Sequence, residues 1–381
     1  MTTSAPRHLD IHILHTLPYS NLNRDDLGSP KSLLFGGTPR TRVSSQCWKR
    51  AVRLAVESGV GESAVRTRRL PVEVAGALVG EHGWPVDIAE FAGRHVAAAA
   101  GLGVDKDDLT VLVFLPARAV VDLVELCVAH RDDLNTALVA LRGRTRPQPK
   151  KGESVLPSAT VKELIGGRNS ITALFGRMLA ELPESKVDGA VQLAHAFTTH
   201  ATEPEIDFFT AVDDLNPIEA TGGGHLNTAE FSSGVFYRYA SLNLADLSTN
   251  LGGDQAKVSA VTEAFVSSFL SAMPNAKKTS TAPFTVPDLA YVAARADRPV
   301  SLAAAFEDAV SLRDGAGFAK ASRRRLDSYN GKIAMLLGEG EVAFHGHATL
   351  DDDVFPALGA RQSSYPGLVA EALDAVNGVE R

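Results

Sequence analysis

The sequence is poor in cysteine and has no long apolar run. Its two cysteines, Cys47 and Cys127, are too few for a disulfide framework or a four-thiolate zinc site. No uninterrupted run of about 18 apolar residues is present, which argues against a membrane-spanning helix. The first residues include His8, Asp10 and His12, where a signal peptide needs a continuous apolar core. These absences predict a cytoplasmic protein that has no membrane partner.

The sequence also lacks a recognisable metal or catalytic motif. It contains 11 histidines, some of them in pairs such as His345 and His347, which a strand would place on one face. No HExxH helix and no carboxylate at ligand spacing accompanies them. Asp213 and Asp214 are adjacent, so in an extended chain their carboxylates point apart and form a poor two-metal clamp. We therefore expect no metal ion, no cofactor and no catalytic residue.

The charges are unevenly distributed along the chain. The net charge of −7 argues by itself against nucleic-acid binding, which normally requires a basic surface. However, residues 24–53 contain seven basic and two acidic side chains, and residues 142–151 contain five basic side chains and no acidic one. Residues 203–219 contain six acidic side chains and no basic one. This segregation is typical of a groove for a polyanion on an acidic protein, although an ordinary solvated face explains the charges about equally well.

The hydrophobic pattern predicts a mixed α+β fold. Alternation over residues 9–14 predicts a half-buried strand, and either Ser44 or Ser45 can cap a following helix. Trp48, Ala51, Val52 and Ala55 form the apolar stripe of that helix, which we expect to end at Gly59. Residues 60–168 are mainly helical in pattern, apart from an apolar run at 109–115. Further strands are predicted at 171–178, 190–199, 235–244 and 290–294, and further helices at 254–273 and 301–311.

Without its insertions, the predicted order is strand, helix, strand, strand, helix, strand. That order is typical of the ferredoxin-like split βαβ arrangement. RNA-recognition (RRM) domains share this fold. The fold alone does not establish the function, because one fold supports many activities.

Three segments together carry a resemblance to a known family. They are NLNRDDLGSPKSLLFGGTPRTRVSSQCWKRAVR (21–53), GRML with KVDGAVQLAHAFTTH (176–200), and DFFTAVDDL followed by HLNTAEFSSGVFYRYASLNL (207–244). These segments resemble the CasC-type backbone subunit of Cascade, the type I-E CRISPR effector complex. The resemblance is strong over residues 11–53 and 176–253 and loose elsewhere. The chain departs from the family pattern at Cys47 and Trp48, where small polar and aliphatic residues are common.

The resemblance implies a ferredoxin-like palm, helical fingers and a β-hairpin thumb. The palm would comprise residues 1–59 and 169–381, including a thumb at about 201–233, and the fingers would be the insertion 60–168. Copies of such a subunit stack head to tail along a guide RNA (crRNA), together with other Cascade subunits, and the target DNA strand pairs with the crRNA. The fingers align too poorly to transfer any DNA-contacting residue, so the basic segment 142–151 has no assigned role.

Candidate RNA-binding residues lie mainly within residues 24–53. Phosphate binding needs cations and polar donors, which predicts a set composed of Arg24, Lys31, Arg40, Arg42, Ser44, Gln46, Lys49, Arg50 and Arg53. Gly36 and Gly37 allow a close approach of the backbone. By the resemblance, Met178 lies at the end of a palm strand, and together with Phe209 and Thr210 of the thumb it wedges between bases. Composition alone favours Met178 and Phe209 as core residues.

Two other functions are compatible with the sequence. The first is a metal-independent endoribonuclease that processes CRISPR repeat RNA, since such enzymes use related folds and a histidine general base. His12 or His15 near the first strand would be that base. The glycine-rich loop that those enzymes carry near the C-terminus is not recognisable here. The second is a plain scaffold, which leaves the grouped cations and small residues of 24–53 unexplained.

Overall fold

The computed structural model describes residues 5–141, 149–179, 181–211, 225–312, 317–338 and 342–378. The chain folds into two compact units. The first unit comprises Met1–Val56, Val191–Leu244 and Ser259–Arg381, and the second comprises Glu57–Ala190 and Ala245–Val258. The basic segment 142–151, except for its last three residues, lies outside the described residues.

The strands are numbered in chain order. They are β1 (His8–Ser20), β2 (Ser32–Phe35), β3 (Thr38–Val43), β4 (Ala64–Thr67), β5 (Val104–Asp105), β6 (Asp108–Leu109), β7 (Val113–Pro116), β8 (Val191–Leu193), β9 (Ala196–Thr198), β10 (Glu205–Ala211), β11 (His225–Asn243), β12 (Leu289–Arg295), β13 (Val342–Thr349) and β14 (Ala360–Arg361).

The helices follow the same convention. They are α1 (Ser45–Val60), α2 (Leu70–Gly80), α3 (Val86–Ala100), α4 (Ala117–Ala129), α5 (Arg131–Ala140), α6 (Ser158–Gly166), α7 (Ser170–Phe175), α8 (Leu244–Asn250), α9 (Gln255–Ser271), α10 (Lys278–Thr281), α11 (Phe318–Leu337) and α12 (Tyr365–Asn377). Short 3₁₀ helices occur at Pro183–Ser185, Ala303–Phe306 and Pro356–Leu358. No helix within the described ranges is long and apolar enough to cross a membrane.

The first unit is built on a large, mostly antiparallel sheet. Its strand order is β14-β13-β12-β1-β11-β9-β3-β2, and β8 and β10 also pair with β11. Among the paired strands of this sheet, only β13 and β14 run parallel. The four central strands lie side by side in the order β12, β1, β11, β9. If these four are numbered by their order in the chain, the spatial order is 4-1-3-2. Helix α1 follows β3 and precedes β8, and α9 lies between β11 and β12 in the chain.

Residues 9–15 of β1 are buried on both faces, so the prediction of a half-buried strand over residues 9–14 is wrong. Asp10 and His12, expected to face solvent, are fully buried. Asp10 accepts hydrogen bonds from the Tyr239 hydroxyl at 2.9 Å and from the Val300 N–H at 2.8 Å. An apolar cluster covers the strand on this face of the sheet. Part of the cluster comes from the segment around Leu302 and from α11. The Asp10 carboxylate remains inside because these partners, distant in the chain, satisfy it.

Helix α1 forms largely as predicted, with small changes at its boundaries. The Ser44 hydroxyl accepts the Cys47 N–H at 3.3 Å, which confirms a serine cap at this end. The buried stripe consists of Trp48, Val52 and Val56. The helix continues past Gly59 to Val60 and ends before Gly61. Gly61 has a φ of +68°, a left-handed conformation that only glycine adopts at little cost.

Two predicted elements are wrong. Residues 171–178 were expected to form a strand, but α7 occupies their first half, because Asn169 and Thr172 form a reciprocal capping box that starts a helix. Residues 301–311 were expected to be helical, but only the 3₁₀ turn Ala303–Phe306 forms. The Val310 N–H donates instead to the Thr199 carbonyl at 3.0 Å, which takes the segment out of a helical path.

The remaining predicted elements are confirmed, and several were missed. Strands appear at 190–199, as β8 and β9, and at 235–244 and 290–294, while α9 matches the predicted helix at 254–273. In the second unit, α2 to α6 confirm the helical pattern of 60–168, and β7 occupies the end of its apolar run. The sequence did not indicate the β2–β3 hairpin, α11, β13 or α12.

Candidate nucleic-acid interface

The basic residues of 24–53 begin in a closed loop between β1 and β2. The Lys31 N–H donates to the Asn23 carbonyl at 3.0 Å, and Arg24 forms a β-bridge with Pro30, so both cations lie at the neck of the loop. Asp25 accepts two backbone N–H groups of the loop through its side chain. The single carboxylate that folds the loop is therefore engaged with backbone groups.

The loop is joined to β3 and to the start of α1. The Arg42 N–H donates to the Lys31 carbonyl at 2.7 Å. The Ser44 N–H donates to the Asn23 side-chain oxygen at 2.9 Å. These two bonds hold the basic loop against β3 and against the residue that precedes α1.

Gly36 and Gly37 form the turn between β2 and β3, and Gly36 packs closely against protein backbone. Gly36 and Gly37 have φ values of +56° and +71°, the conformation of a tight two-residue hairpin turn. A Cβ atom on Gly36 would lie 1.9 Å from the Glu307 carbonyl oxygen. The close approach predicted from this pair is thus, for Gly36, an approach to protein backbone.

The electrostatic influence of the cations converges on the start of α1. His195 has a lowered pKa, first because it is partly buried and then because Arg42 and Lys31 are close to it. Burial raises the pKa of the Cys47 thiol, and Lys31 and Arg50 oppose that rise. Lys31, Arg42 and Arg50 therefore each influence a titratable group, either His195 or Cys47, beside the first turn of the helix.

Arg40 occupies a different position from the other cations. Its side chain is fully buried, and its guanidinium donates to the carbonyl oxygens of Thr198, Phe306 and Glu307 at 3.1 Å. A guanidinium surrounded by protein carbonyls cannot also face a phosphate. Of the basic residues predicted to bind RNA, Arg40 is thus the one whose side chain holds the sheet to the 3₁₀ segment instead.

The remaining members of the predicted set reach the surface to different extents. Arg24, Gln46 and Arg50 are exposed, and Lys31, Arg42, Lys49 and Arg53 are half-buried. Ser44 is buried, because its hydroxyl caps the helix. The structure therefore brings together cations of mixed exposure on the loop, on β3 and on α1.

The β10–β11 hairpin exposes apolar side chains. Ile206, Phe208 and Phe209 are 60%, 69% and 45% exposed. In the antiparallel register Phe209 lies opposite Asn227 and Thr210 lies opposite Leu226. Because successive strand residues point to opposite faces, Phe209 and Thr210 lie on different faces of the hairpin. The sequence had indicated Phe209 but not the exposed face formed by Ile206 and Phe208.

The base of the hairpin is held to the large sheet. The Thr41 N–H donates to the Thr202 hydroxyl at 2.6 Å, and the Thr202 N–H donates to the Pro39 carbonyl at 3.2 Å. Tyr19 stacks on Phe231 with ring centroids 4.6 Å apart. These contacts fix where β10 leaves the sheet, while the apolar residues farther along the hairpin remain exposed.

Met178 is also exposed, in the second unit. It is 84% exposed, and it follows α7 and the bridge between Arg177 and Val187, so its expected place at the end of a palm strand is not observed. The buried Arg177 guanidinium donates to the carbonyls of Ser185 and Gly167, each at 2.8 Å, and fixes the preceding backbone. The exposure of Met178 and Phe209 contradicts the alternative that they are core residues.

The two histidines considered as a general base are inaccessible. His12 and His15 are buried, and burial lowers the pKa of each to about 3. His12 bonds to the Tyr237 hydroxyl at 2.9 Å, and His15 lies 3.2 Å from the Arg238 guanidinium. Neither ring can meet an RNA hydroxyl without opening the sheet. Among the described residues, no group of three or more histidine, cysteine, aspartate or glutamate side chains could hold a metal ion.

A family model described as CT1975-like protein matches residues 9–365. A chain of a solved structure described as "CRISPR RNA-guided surveillance complex, pre-nicking" is 42% identical, with a TM-score of 0.89 over 97% of this chain and 100% of that chain. A chain of a second, described as "CRISPR RNA-guided surveillance complex", is 37% identical, with a TM-score of 0.78 over 97% of this chain and 99% of that chain. No curated protein matches.

Proposed function

Because the chain belongs to the CT1975-like protein family, we propose that it is a non-catalytic, crRNA-binding backbone subunit of a CRISPR surveillance complex. We assign it to the CasC type of the type I-E Cascade complex, acting in the cytoplasm. The observation that carries the proposal is that backbone bonds from Arg42 to Lys31 and from Ser44 to Asn23 hold the basic loop and β3 beside the start of α1. The similarity of nearly the whole chain to chains of two solved surveillance complexes supports the same role.

The three parts of the hand-like architecture correspond to distinct elements. We assign the ferredoxin-like palm to the large sheet, and the strand order of its four central strands supports that assignment. The fingers correspond to the helical second unit, and the thumb to β10 and the start of β11. In this proposal the palm presents cations and the thumb presents apolar side chains.

The cations bind the RNA backbone and not its bases. Arg24, Lys31, Arg42, Arg50 and Arg53 supply charge, and Gln46 and Lys49 on α1 supply further donors. Contacts to phosphates position a nucleic acid without reading its sequence. Sequence choice is then left to base pairing between the crRNA and the target DNA strand, a division of labour found in other RNA-guided effectors.

The exposed apolar side chains replace base stacking at intervals along the RNA. Phe209 and Met178 are candidates to wedge between bases, since an apolar surface compensates for stacking worth about 1–3 kcal/mol per base. Thr210, on the opposite face of the hairpin from Phe209, contacts a different part of the RNA or of a neighbouring subunit. The acidic side chains of the thumb remain solvated or meet a basic neighbour.

Self-association and RNA binding are coupled in this proposal. Head-to-tail stacking uses two different surfaces, so it is open-ended unless the rotation closes a ring. A crRNA bound across successive copies then sets the length of the assembly. Light scattering with RNAs of increasing length tests this, because copy number should rise stepwise with RNA length. A length-independent dimer or closed ring would reject the model.

The endoribonuclease alternative makes the opposite prediction for RNA integrity. Repeat RNA incubated with the purified protein, with or without divalent metal, should remain intact. Site-specific cleavage that disappears in His12→Ala or His15→Ala would overturn the non-catalytic assignment. The burial of both rings argues against that outcome.

A further inference from the structure

A β-bulge between β8 and β9 directs one histidine toward the basic surface. Leu193 pairs with Ala240 but Phe197 pairs with Tyr237, so the span of four residues on one strand opposes a span of three on its partner. An extra residue of this kind redirects side chains. Here His195, inside the bulge, is exposed and reaches the start of α1, where it accepts the Ser45 N–H.

The contact with Ser45 determines which nitrogen of the neutral His195 ring carries the proton. The Ser45 N–H donates to His195 Nδ1 over 2.7 Å. A ring nitrogen that accepts a hydrogen bond carries no proton, so in the neutral imidazole the proton lies on Nε2. Nε2 has no hydrogen-bond partner among the described residues. His195 therefore presents an outward N–H donor that the fold itself does not use.

The surroundings keep this donor neutral and place it among cations. Partial burial, Arg42 and Lys31 lower the pKa of His195, which favours the uncharged ring. The Arg42 N–H also donates to the Lys31 carbonyl at 2.7 Å, which holds both cations beside the ring. A phosphate attracted by these charges would meet an N–H whose direction is already fixed.

We propose that His195 is a further RNA-contacting residue, whose Nε2–H donates a hydrogen bond to a phosphate oxygen of RNA lying across the start of α1. This inference rests on the proposed function, since it adds a neutral donor to the cations assigned to the RNA backbone. A purely structural His195 would need only its Nδ1 acceptor. The two roles use different ring nitrogens and can be separated by substitution.

Asparagine and glutamine separate the two ring nitrogens. In His195→Asn the amide oxygen takes the place of Nδ1, which keeps the acceptor for Ser45 and removes the outward donor. In His195→Gln the amide nitrogen reaches the place of Nε2, which keeps the donor and removes the acceptor. Binding of a labelled polyuridylate to the full-length protein, titrated over a range of salt concentrations, is the measurement, with thermal unfolding of each variant alongside.

We expect His195→Asn to lose about tenfold in affinity, as for one hydrogen bond to a charged acceptor, with unchanged salt dependence and unchanged Tm. His195→Gln should bind within about threefold of the native protein, because it keeps the donor. Lys31→Ala is the matched charged control and should reduce the salt slope by about 0.7, the value for one phosphate contact on a single strand.

Two results would overturn the inference while leaving the proposed function intact. Native affinity in His195→Asn shows that no bond to RNA is made. Weak binding confined to His195→Gln, with a lowered Tm, shows that only the bond to Ser45 matters. If the native protein itself binds polyuridylate without salt dependence, the proposed function fails, and this inference fails with it.

Discussion

Strand β11 joins a region that buries polar side chains to a region that exposes apolar side chains. Where it pairs with β1, polar side chains are buried: Arg238 is fully buried, as are Asp10 and His12 on the neighbouring strand. Where it pairs with β10, apolar side chains are exposed, including Phe208 and Phe209. The same strand thus runs from a region with polar groups inside to a region with apolar groups outside.

The two regions differ in what satisfies these side chains. Arg238 lies between the rings of Trp48 and Phe269, at 3.8 Å and 4.8 Å from their centroids, and burial lowers its pKa to about 9. It also donates to the Phe269 carbonyl and approaches His15. Its partners belong to the fold. This stack also accounts for Trp48, one of the two positions at which the sequence departs from the family pattern.

The exposed apolar side chains of the hairpin have no comparable partners within the described chain. An exposed apolar face adds little to the stability of an isolated subunit, and its contribution comes from a binding partner. We therefore expect the centre of the sheet to contribute stability and the hairpin to contribute to binding a partner. Four substitutions, from the largest expected effect to the smallest, test that division.

The first substitution removes a buried charge from the centre of the sheet. Arg295 Nε lies 3.2 Å from Asp10, at an angle too poor for a hydrogen bond, so the contact is an ion pair. Asp10→Ala leaves the buried Arg295 without its ion-pair partner and should lower the free energy of unfolding, measured by urea denaturation, by about 3–5 kcal/mol. Arg298→Ala, which removes an exposed cation from an ion pair at 4.0 Å, is the control and should change stability by less than about 1 kcal/mol. Equal effects would erase the distinction.

The second test concerns the pH dependence of the same region. The pKa of His12 falls from its ordinary value of 6.5 to about 3 on folding, so its contribution is fully present above pH 6.5 and is lost as the pH decreases toward 3. Near pH 5 the loss is about 2 kcal/mol for this one group. His12→Phe should flatten the fall in unfolding free energy between neutral pH and about pH 5. An unchanged slope would show that another group dominates.

The third test compares adjacent hairpin residues. Phe209→Ala should reduce RNA affinity by about tenfold, within the range expected for one stacking contact, and leave the unfolding free energy nearly unchanged. Phe208→Ala removes an equally large ring from the other face of β10 and is the matched control. RNA titrations and urea denaturation of both variants distinguish the faces. A larger loss of affinity in Phe208→Ala would transfer the wedge to the face shared with Ile206.

The smallest expected effect is that of a single surface cation. Arg50→Ala should lower the slope of the salt dependence of RNA binding by about 0.7, which corresponds to about fourfold in affinity near physiological salt. Because Arg50 is exposed, its removal should not alter stability. Arg298→Ala again serves as the control, with the native slope expected. An unchanged slope in Arg50→Ala would remove this part of α1 from the interface.

Much of the secondary structure could be predicted because its signals are local. The pattern at 254–273 gives α9, and the β-branched and aromatic residues at 235–244 give most of β11. The strand predicted at 171–178 was wrong because the capping box of Asn169 and Thr172 determines a helix there. That signal is also local, so it could have been found in the sequence.

The candidate site was predicted in part. The grouping of cations in residues 24–53 was visible, and the structure joins Arg42 to Lys31 beside the start of α1. Arg40 and Arg42 share a strand parity, yet only Arg40 is covered, by the carbonyls of Phe306 and Glu307. No pattern near residue 40 indicates a segment more than two hundred residues away, so its burial could not be predicted.

The sequence by itself determined many of the elements, the uneven charge and the family, because periodicity, capping and motif identity are properties of short segments. Tertiary structure alone decided which polar groups are inside and which nitrogen of His195 faces outward. Those outcomes depend on strand register and on partners distant in the chain, as in the bond from Ser45 to His195. Hydrogen bonding of a buried or capped group is fixed only when both partners have been brought together.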